Sequence, residues 1–360
     1  MRLLLIGMGV GGALLLAEAV AKVIDVRAQQ RYLHTAGRIS RTSDIPGVRY
    51  ELIPGVRALT PHAQIEIRVN NIGFRGPDID KSKPAGVLRV AVLGDSIGFG
   101  RTYEEEQIFP TIAQSLLRQQ YAQHPIEVIN ACLSGRDTWE EAAVLEHSVL
   151  GLEPDVVVLQ ICLNDHIRLP PPPSHAAWGM FGDHAWYEYS SLLKLLDERL
   201  PGFRRHHVTW LQRLNLDSRT EKQVLIDQNI SPKQMLEYGP HWEDWSDVLR
   251  RIVDLSRSHG AQVVFMVFPI DYQLKRGDTE TLPGLTALAK EFGVPLIDMT
   301  EEYGSRWVGM LRDYTHPSPA GHTVAAEALA RAILPHLENA APVQQVDSTV
   351  RDPAFAGSKL

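Results

Sequence analysis

The chain has 360 residues, 44% of them hydrophobic, and 36 basic residues stand against 43 acidic ones for a net charge of −7. That is enough apolar content for one large domain with appendages. The mild, evenly spread acidity, with no basic stripe interleaved with aromatics, excludes a nucleic-acid partner. Cys132 and Cys162 are the only cysteines, too few for a stapled scaffold or a zinc site.

Leu3 to Ala17 carries no charge, and a weaker apolar stretch runs past Glu18 and Lys22 to Val26. This lies between the ~7–15 apolar residues of a secretory signal and the ~20 of a membrane span. Residues 1–26 therefore have two readings. One is a signal cut at Ala17-Glu18-Ala19 or Ala19-Val20-Ala21. The other is a short retained anchor through residues 3–26, with Lys22 reaching for the interface. Charge placement opposes export. Only Arg2 precedes the run, whereas Lys22, Arg27, Arg31, Arg38 and Arg41 follow it. Gly7-Met-Gly9-Val-Gly11-Gly12 matches a dinucleotide-binding glycine pattern, and Asp25 stands where an acidic partner would. However, Arg27 to Ser40 does not continue a sheet and no second mononucleotide half follows.

Residues 27–87 read as a polar connector followed by a small β-rich segment. Tyr50 to Ile72 alternates around Pro54 and Pro61, and Asn71 to Gly76 forms a glycine-rich turn. The rhythm then changes. Leu88–Leu93, Ile126–Asn130, Asp155–Ile161, Gln262–Phe268 and Val294–Met299 are predicted strands. Between them lie helical patterns from Pro110 to Tyr121, Trp139 to Leu150, Trp242 to Ser258 and Leu285 to Phe292, and a last one from Pro319 to Leu337. Near-continuous β-branched runs between helices predict an α/β fold with a parallel sheet covered on both faces. Residues 166–241 form an insert holding Pro170 to Pro173, the aromatics Trp178, Phe181, Trp186, Tyr187 and Tyr189, and an amphipathic stretch from Leu192 to Leu200. That composition suits a lid, binding loop or small subdomain. The main domain is then 88–337, and the polar tail 338–360 has little to bury.

Polar residues collect at the carboxyl ends of these strands, where open α/β sheets bind ligands. Ser96 follows the first strand, Gly135 the second and Asn164 the third, and Asp313 and His316 share the loop after the fifth. A serine hydroxyl needs a base to take its proton. Histidine, with an ordinary pKa of about 6.5, suits the task, and a carboxylate on its far nitrogen fixes the tautomer. The backbone N–H groups of Ser96 and Gly135 and the side-chain amide of Asn164 would stabilise an oxyanion. Serine chemistry of this kind needs no metal or cofactor, and no cluster has ligand spacing.

At these residues the chain resembles the SGNH/GDSL hydrolase superfamily over roughly 88–337. Val92-Leu-Gly-Asp-Ser-Ile-Gly98 is similar to its nucleophile block, Asn130 to Gly135 to its second block and Leu163-Asn164-Asp165 to its third. Asp313-Tyr-Thr-His316-Pro317, continued by Gly321 and His322, is similar to its fifth. The resemblance implies a three-layer, flavodoxin-like sandwich around a mostly parallel five-stranded sheet, with the first strand between the second and third. It also implies a carboxylic ester hydrolase with catalytic Ser96, His316 and Asp313 and an oxyanion hole from Ser96, Gly135 and Asn164. In that order Cys132 and Cys162 leave strands that are not neighbours, so free thiols are expected. One departure is Cys162, which stands where the third block has glycine, and altered specificity rather than lost activity is expected from it. Asn70-Asn-Ile-Gly-Phe-Arg-Gly76 is similar to a segment of a bacterial, membrane-anchored subgroup. That likeness implies an anchored, extracytoplasmic protein acting on glycan or lipid esters.

Gly94-Asp-Ser96-Ile-Gly98 also fits the G-x-S-x-G elbow of α/β-hydrolases. There the acid and histidine lie on separate loops, whereas here the acid sits three residues before the histidine. Asp95 and Asp165 read as structural hydrogen-bonders, and His322 as a packed or exposed helix residue. The same triad would serve an O-acyltransferase acting on surface glycans, and a protein that only binds glycan or lipid is the non-enzymatic alternative.

Overall fold

The computed structural model describes residues 9, 11–23, 39–59, 65–163, 165, 192, 242–313 and 315–340. The insert aromatics and the tail beyond 340 lie outside the described residues. Four short strands come first. β1 (Ser40–Thr42) pairs antiparallel with β2 (Tyr50–Leu52), and β3 (Arg57–Leu59) with β4 (Glu66–Arg68).

The central sheet comprises β5 (Leu88–Leu93), β6 (Ile126–Asn130), β7 (Val156–Ile161), β8 (Gln262–Val267) and β9 (Leu296–Asp298), in the order β6-β5-β7-β8-β9. Every pairing in it is parallel. The register places Val90 opposite Val128 on one side and Val156 on the other. The first strand of the sheet thus lies between the second and third, as the resemblance implied.

Eight helices are labelled around the sheet: α1 (Ser96–Phe99), α2 (Phe109–Gln120), α3 (Thr138–Val144), α4 (Trp242–Ser258), α5 (Asp271–Arg276), α6 (Pro283–Phe292), α7 (Met299–Tyr303) and α8 (Pro319–Ala340). The three layers follow from the two-residue period of a strand. Ala91, Leu93, Val157 and Leu159 point into one core with Trp245, Leu249 and Ile252 of α4 and Leu285 of α6. Val90, Val92, Val156 and Val158 point into the other with Phe109 and Leu117 of α2 and Leu329 and Ile333 of α8. Being buried on both faces, the strands read as continuous apolar runs.

The segment before the sheet joins both cores. Val48, Phe74 and Ile79 pack into the first, and Leu52, Ile67 and Val69 into the second. The helix expected from Trp139 to Leu150 widens into a π turn over Leu145–Val149 and then tightens into a 3₁₀ turn over Leu150–Leu152, where Pro154 prevents continuation.

The retained anchor expected over residues 3–26 is not supported. Residues 11–23 are helical, but among the described residues no helix is long and apolar enough to cross a membrane.

Candidate active site

The turn that carries Ser96 is built by the end of β5. Leu93 ends the strand, and Asp95 caps α1 by accepting the N–H of Ile97 on Oδ1 at 2.9 Å. Ser96 is therefore the first helical residue rather than the cap, and its N–H is one of those a helix leaves unpaired by its own ladder. Gln160 of β7 holds the turn from beneath, its Oε1 accepting the N–H groups of Asp95 and Gly98, both at 3.1 Å. A Cβ on Gly98 would lie 2.3 Å from the Cys132 sulfur, so only glycine lets α1 settle this close to the strand end. Arg75 closes the far end of the helix. Its guanidinium donates to the carbonyls of Phe99, Gly100 (2.8 Å) and Tyr103 (2.7 Å), while Asn130 Nδ2 donates to the carbonyl of Gly98 at 2.9 Å. A cation there also complements the helix C-terminal dipole. Burial pulls the Arg75 pKa down to about 10.

Asp313 and His316 reach the same point from the loop between α7 and α8. His316 Nε2 lies 2.9 Å from Ser96 Oγ, and its Nδ1 lies 3.0 Å from both carboxylate oxygens of Asp313. Asp313 Oδ1 also accepts the backbone N–H groups of Thr315 (3.0 Å) and His316 (2.9 Å). Desolvation pushes this carboxyl up, but those N–H donors and the neighbouring imidazole outweigh it and hold the pKa below its ordinary value. Asp313 is thus kept ionised where it can hold a proton on Nδ1. His322 is buried on α8, and its Nδ1 accepts the N–H of Phe109 at 3.3 Å. Burial, then Arg75 and His316, lower its pKa to about 3, so it stays neutral as packing.

Gly135 follows β6 with φ +79°, a left-handed conformation that glycine adopts without strain. Asn164, the third expected oxyanion donor, lies outside the described residues. Its neighbours are fully buried. Asp165 accepts the N–H of Cys162 at 2.6 Å, and the Cys162 thiol is 3.2 Å from Asp95 Oδ2. The side chain that replaces the usual glycine therefore supports Asp95, the residue that caps the Ser96 helix. Both cysteines are free and buried. Burial, then the neighbouring Asp95, push the carboxyls of Glu141 and Asp165 well above the usual carboxylate range. Asp95, Cys162 and Asp165 offer three donor atoms within 4.8 Å of one another, the one such group among the described residues. These groups are already joined by hydrogen bonds inside the protein.

The GDSL-like lipase/acylhydrolase family model matches residues 92–324. The chain belongs to this family. As a GDSL-like protein it is a serine ester hydrolase. No curated protein sequence matches it. Among solved structures it is similar to TesA, at 17% identity over 69% of this chain and 99% of that one, with a TM-score of 0.40. It is also similar to the acetylxylan esterase Axe2 from Geobacillus stearothermophilus, at 18% identity over 68% and 94%, with a TM-score of 0.41. A third likeness is to a putative lipolytic G-D-S-L family protein from Desulfitobacterium hafniense DCB-2, at 15% identity over 68% and 98%, with a TM-score of 0.38. The family assignment rests on the family match, not on these likenesses.

The structure thus brings Ser96, His316 and Asp313 together within hydrogen-bond reach. It adds residues that sequence reasoning missed. Gln160 left one signal, a lone amide inside an otherwise apolar strand. Arg75 stood in a segment read only as a turn. Arg49 and Tyr50, which contact the Gly135 loop, left none.

Proposed function

We propose that Ser96 attacks the carbonyl carbon of a carboxylic ester and carries the acyl group as a covalent intermediate. The observation behind this is the continuous chain from Ser96 Oγ through His316 to Asp313, with steps of 2.9 and 3.0 Å. His316 Nε2 takes the serine proton as the Oγ–C bond forms, and Asp313 steadies the resulting imidazolium. The N–H groups of Ser96 and Gly135 and the amide of Asn164 receive the negative charge on the former carbonyl oxygen. His316 then returns the proton to the departing alkoxide as the ester C–O bond breaks. A water, deprotonated by the same imidazole, releases the acid and restores Ser96.

Turnover of p-nitrophenyl acetate by wild type beside His316→Ala tests this reading. A fall in kcat of at least about 10³ supports it, and a variant within tenfold of wild type contradicts it. The same acyl-enzyme serves an O-acyltransferase, so product analysis with and without a glycan acceptor separates free acid from transferred ester. A panel of acyl chain lengths separates acetylated glycan from lipid ester. From the likeness of Asn70 to Gly76 to a membrane-anchored subgroup we further propose that the enzyme acts outside the cytoplasm, which a reporter fused after residue 40 tests by its activity on either side of the membrane.

A further inference from the structure

We infer that Arg49 and Tyr50 are positioning residues, clamping the Ser134–Gly135 peptide so that its N–H faces the oxyanion. The inference rests on the reading of Gly135 as an oxyanion donor and adds residues before the family match, which begins at Val92.

The geometry is that of one peptide unit. The N–H of Gly135 and the carbonyl of Ser134 belong to the same plane and, in a trans peptide, point in opposite directions. The Tyr50 hydroxyl donates to the Ser134 carbonyl. With that oxygen held from behind, the Gly135 N–H is turned the other way. Arg49 Nη2 donates to the Gly135 carbonyl and so fixes the next peptide. Two successive carbonyls are pinned, and the donor between them cannot rotate unless both bonds break. Gly135 is itself fitted to this contact, since a Cβ there would lie 3.1 Å from the Tyr50 hydroxyl.

Arg49 is rigidly held in turn. Its backbone N–H and Nε donate to Glu140 Oε1 at 2.7 and 3.0 Å, and its Nη2 to Glu140 Oε2 at 2.5 Å. Glu140 is buried on α3, the helix into which the Gly135 loop runs, and its N–H is capped by Asp137 at 2.9 Å. The Arg49 guanidinium also lies over the Tyr50 ring, 5.7 Å from its centroid. Val48 and Leu52 bury the β1–β2 hairpin independently of these polar contacts. The clamp has an electronic consequence as well. A donor on an amide oxygen draws charge toward that oxygen and strengthens the N–H of the same unit, by about 10–30% per bond.

The test compares full-length wild type with Tyr50→Phe, Arg49→Lys, Arg49→Ala and Ser96→Ala. The substrates are p-nitrophenyl acetate and its thiono analogue, in which sulfur replaces the carbonyl oxygen that becomes the oxyanion. Thermal midpoints are recorded for each variant. Tyr50→Phe, which removes a single oxygen, is expected to lower kcat about 5–50-fold, less than the ~10²–10³ of losing a donor outright, with KM within about twofold. The preference for the oxo over the thiono ester narrows by a similar factor, and Arg49→Lys retains more activity than Arg49→Ala. A structural role alone would leave the oxo/thiono ratio untouched. If Ser96→Ala is inactive while the clamp variants keep kcat and that ratio within twofold, the clamp is overturned. A loss of rate with an unchanged ratio overturns it equally. If Ser96→Ala turns over like wild type, the active-site reading itself fails, and the clamp with it.

Discussion

Replacing Arg75 with Met tests how the segment before the sheet supports the nucleophile. Arg75 is 2% exposed, and its guanidinium serves the carbonyls of Phe99 and Gly100 at the end of the Ser96 helix and that of Tyr103 just beyond it. A hydrogen bond from a charged donor nets about 1.5–3 kcal/mol, so three such bonds set a gross loss of about 5–9 kcal/mol. Met restores much of the volume and removes the cost of burying a charge, which offsets roughly half of that. The expected loss of stability is about 2–4 kcal/mol, read from the urea midpoint by tryptophan fluorescence. Arg75→Lys keeps the charge but cannot present a planar fork to three acceptors, so it is expected to recover less than half. Because α1 loses its C-terminal restraint, kcat of the folded fraction falls about tenfold as the serine loses its fixed position. An Arg75→Met protein within about 0.5 kcal/mol of wild type and with unchanged kcat would refute the reasoning.

Other consequences are equally direct. Asp313→Asn, which disturbs the tautomer of His316, is expected to lower kcat by about 10²–10⁴ with KM little changed; steady-state kinetics showing less than a fivefold loss would count against its role. Glu141 has both carboxylate oxygens buried without a hydrogen-bond partner, and its pKa is raised by burial and by Asp95. The folded state therefore binds a proton that the unfolded state releases, so stability is lost as pH rises above the ordinary carboxylate range. Glu141→Gln should match wild type near pH 4 and exceed it at pH 8 in urea unfolding, the gap growing by up to about 1.4 kcal/mol per pH unit between the two pKa values. A gap that is constant with pH would contradict this. Alkylation without reductant should leave Cys132 and Cys162 unmodified in the native protein and label both once it is denatured; a mass showing no label after denaturation would mean a disulfide.

Much of this fold was legible because a strand buried on both faces has little freedom of composition. The predicted strand 88–93 holds to the residue, as does 126–130. The site was legible for a related reason. In a parallel sheet, the loops beyond the carboxyl ends of the strands converge on one edge, so Ser96, just past β5, meets His316, in the loop before α8, across 220 positions of sequence. What stayed hidden depends on contacts that leave no local period. Arg49 meets Gly135 across 86 positions, and nothing in the alternation around Tyr50 says which carbonyl its hydroxyl will find. Asp95 was read as a structural hydrogen-bonder and caps α1. The consequence of a cysteine at position 162 required knowing that its thiol turns toward that same cap. The apolar N-terminal segment was read from composition alone, and among the described residues no helix is long and apolar enough to cross a membrane.

The most direct test of the central claim is intact-mass and peptide mapping of the protein after reaction with a fluorophosphonate, wild type beside Ser96→Ala. The account predicts one stoichiometric adduct on Ser96, parallel loss of p-nitrophenyl acetate turnover, and no adduct in the variant. An adduct on another residue, or a folded wild type that hydrolyses esters without labelling, would contradict it.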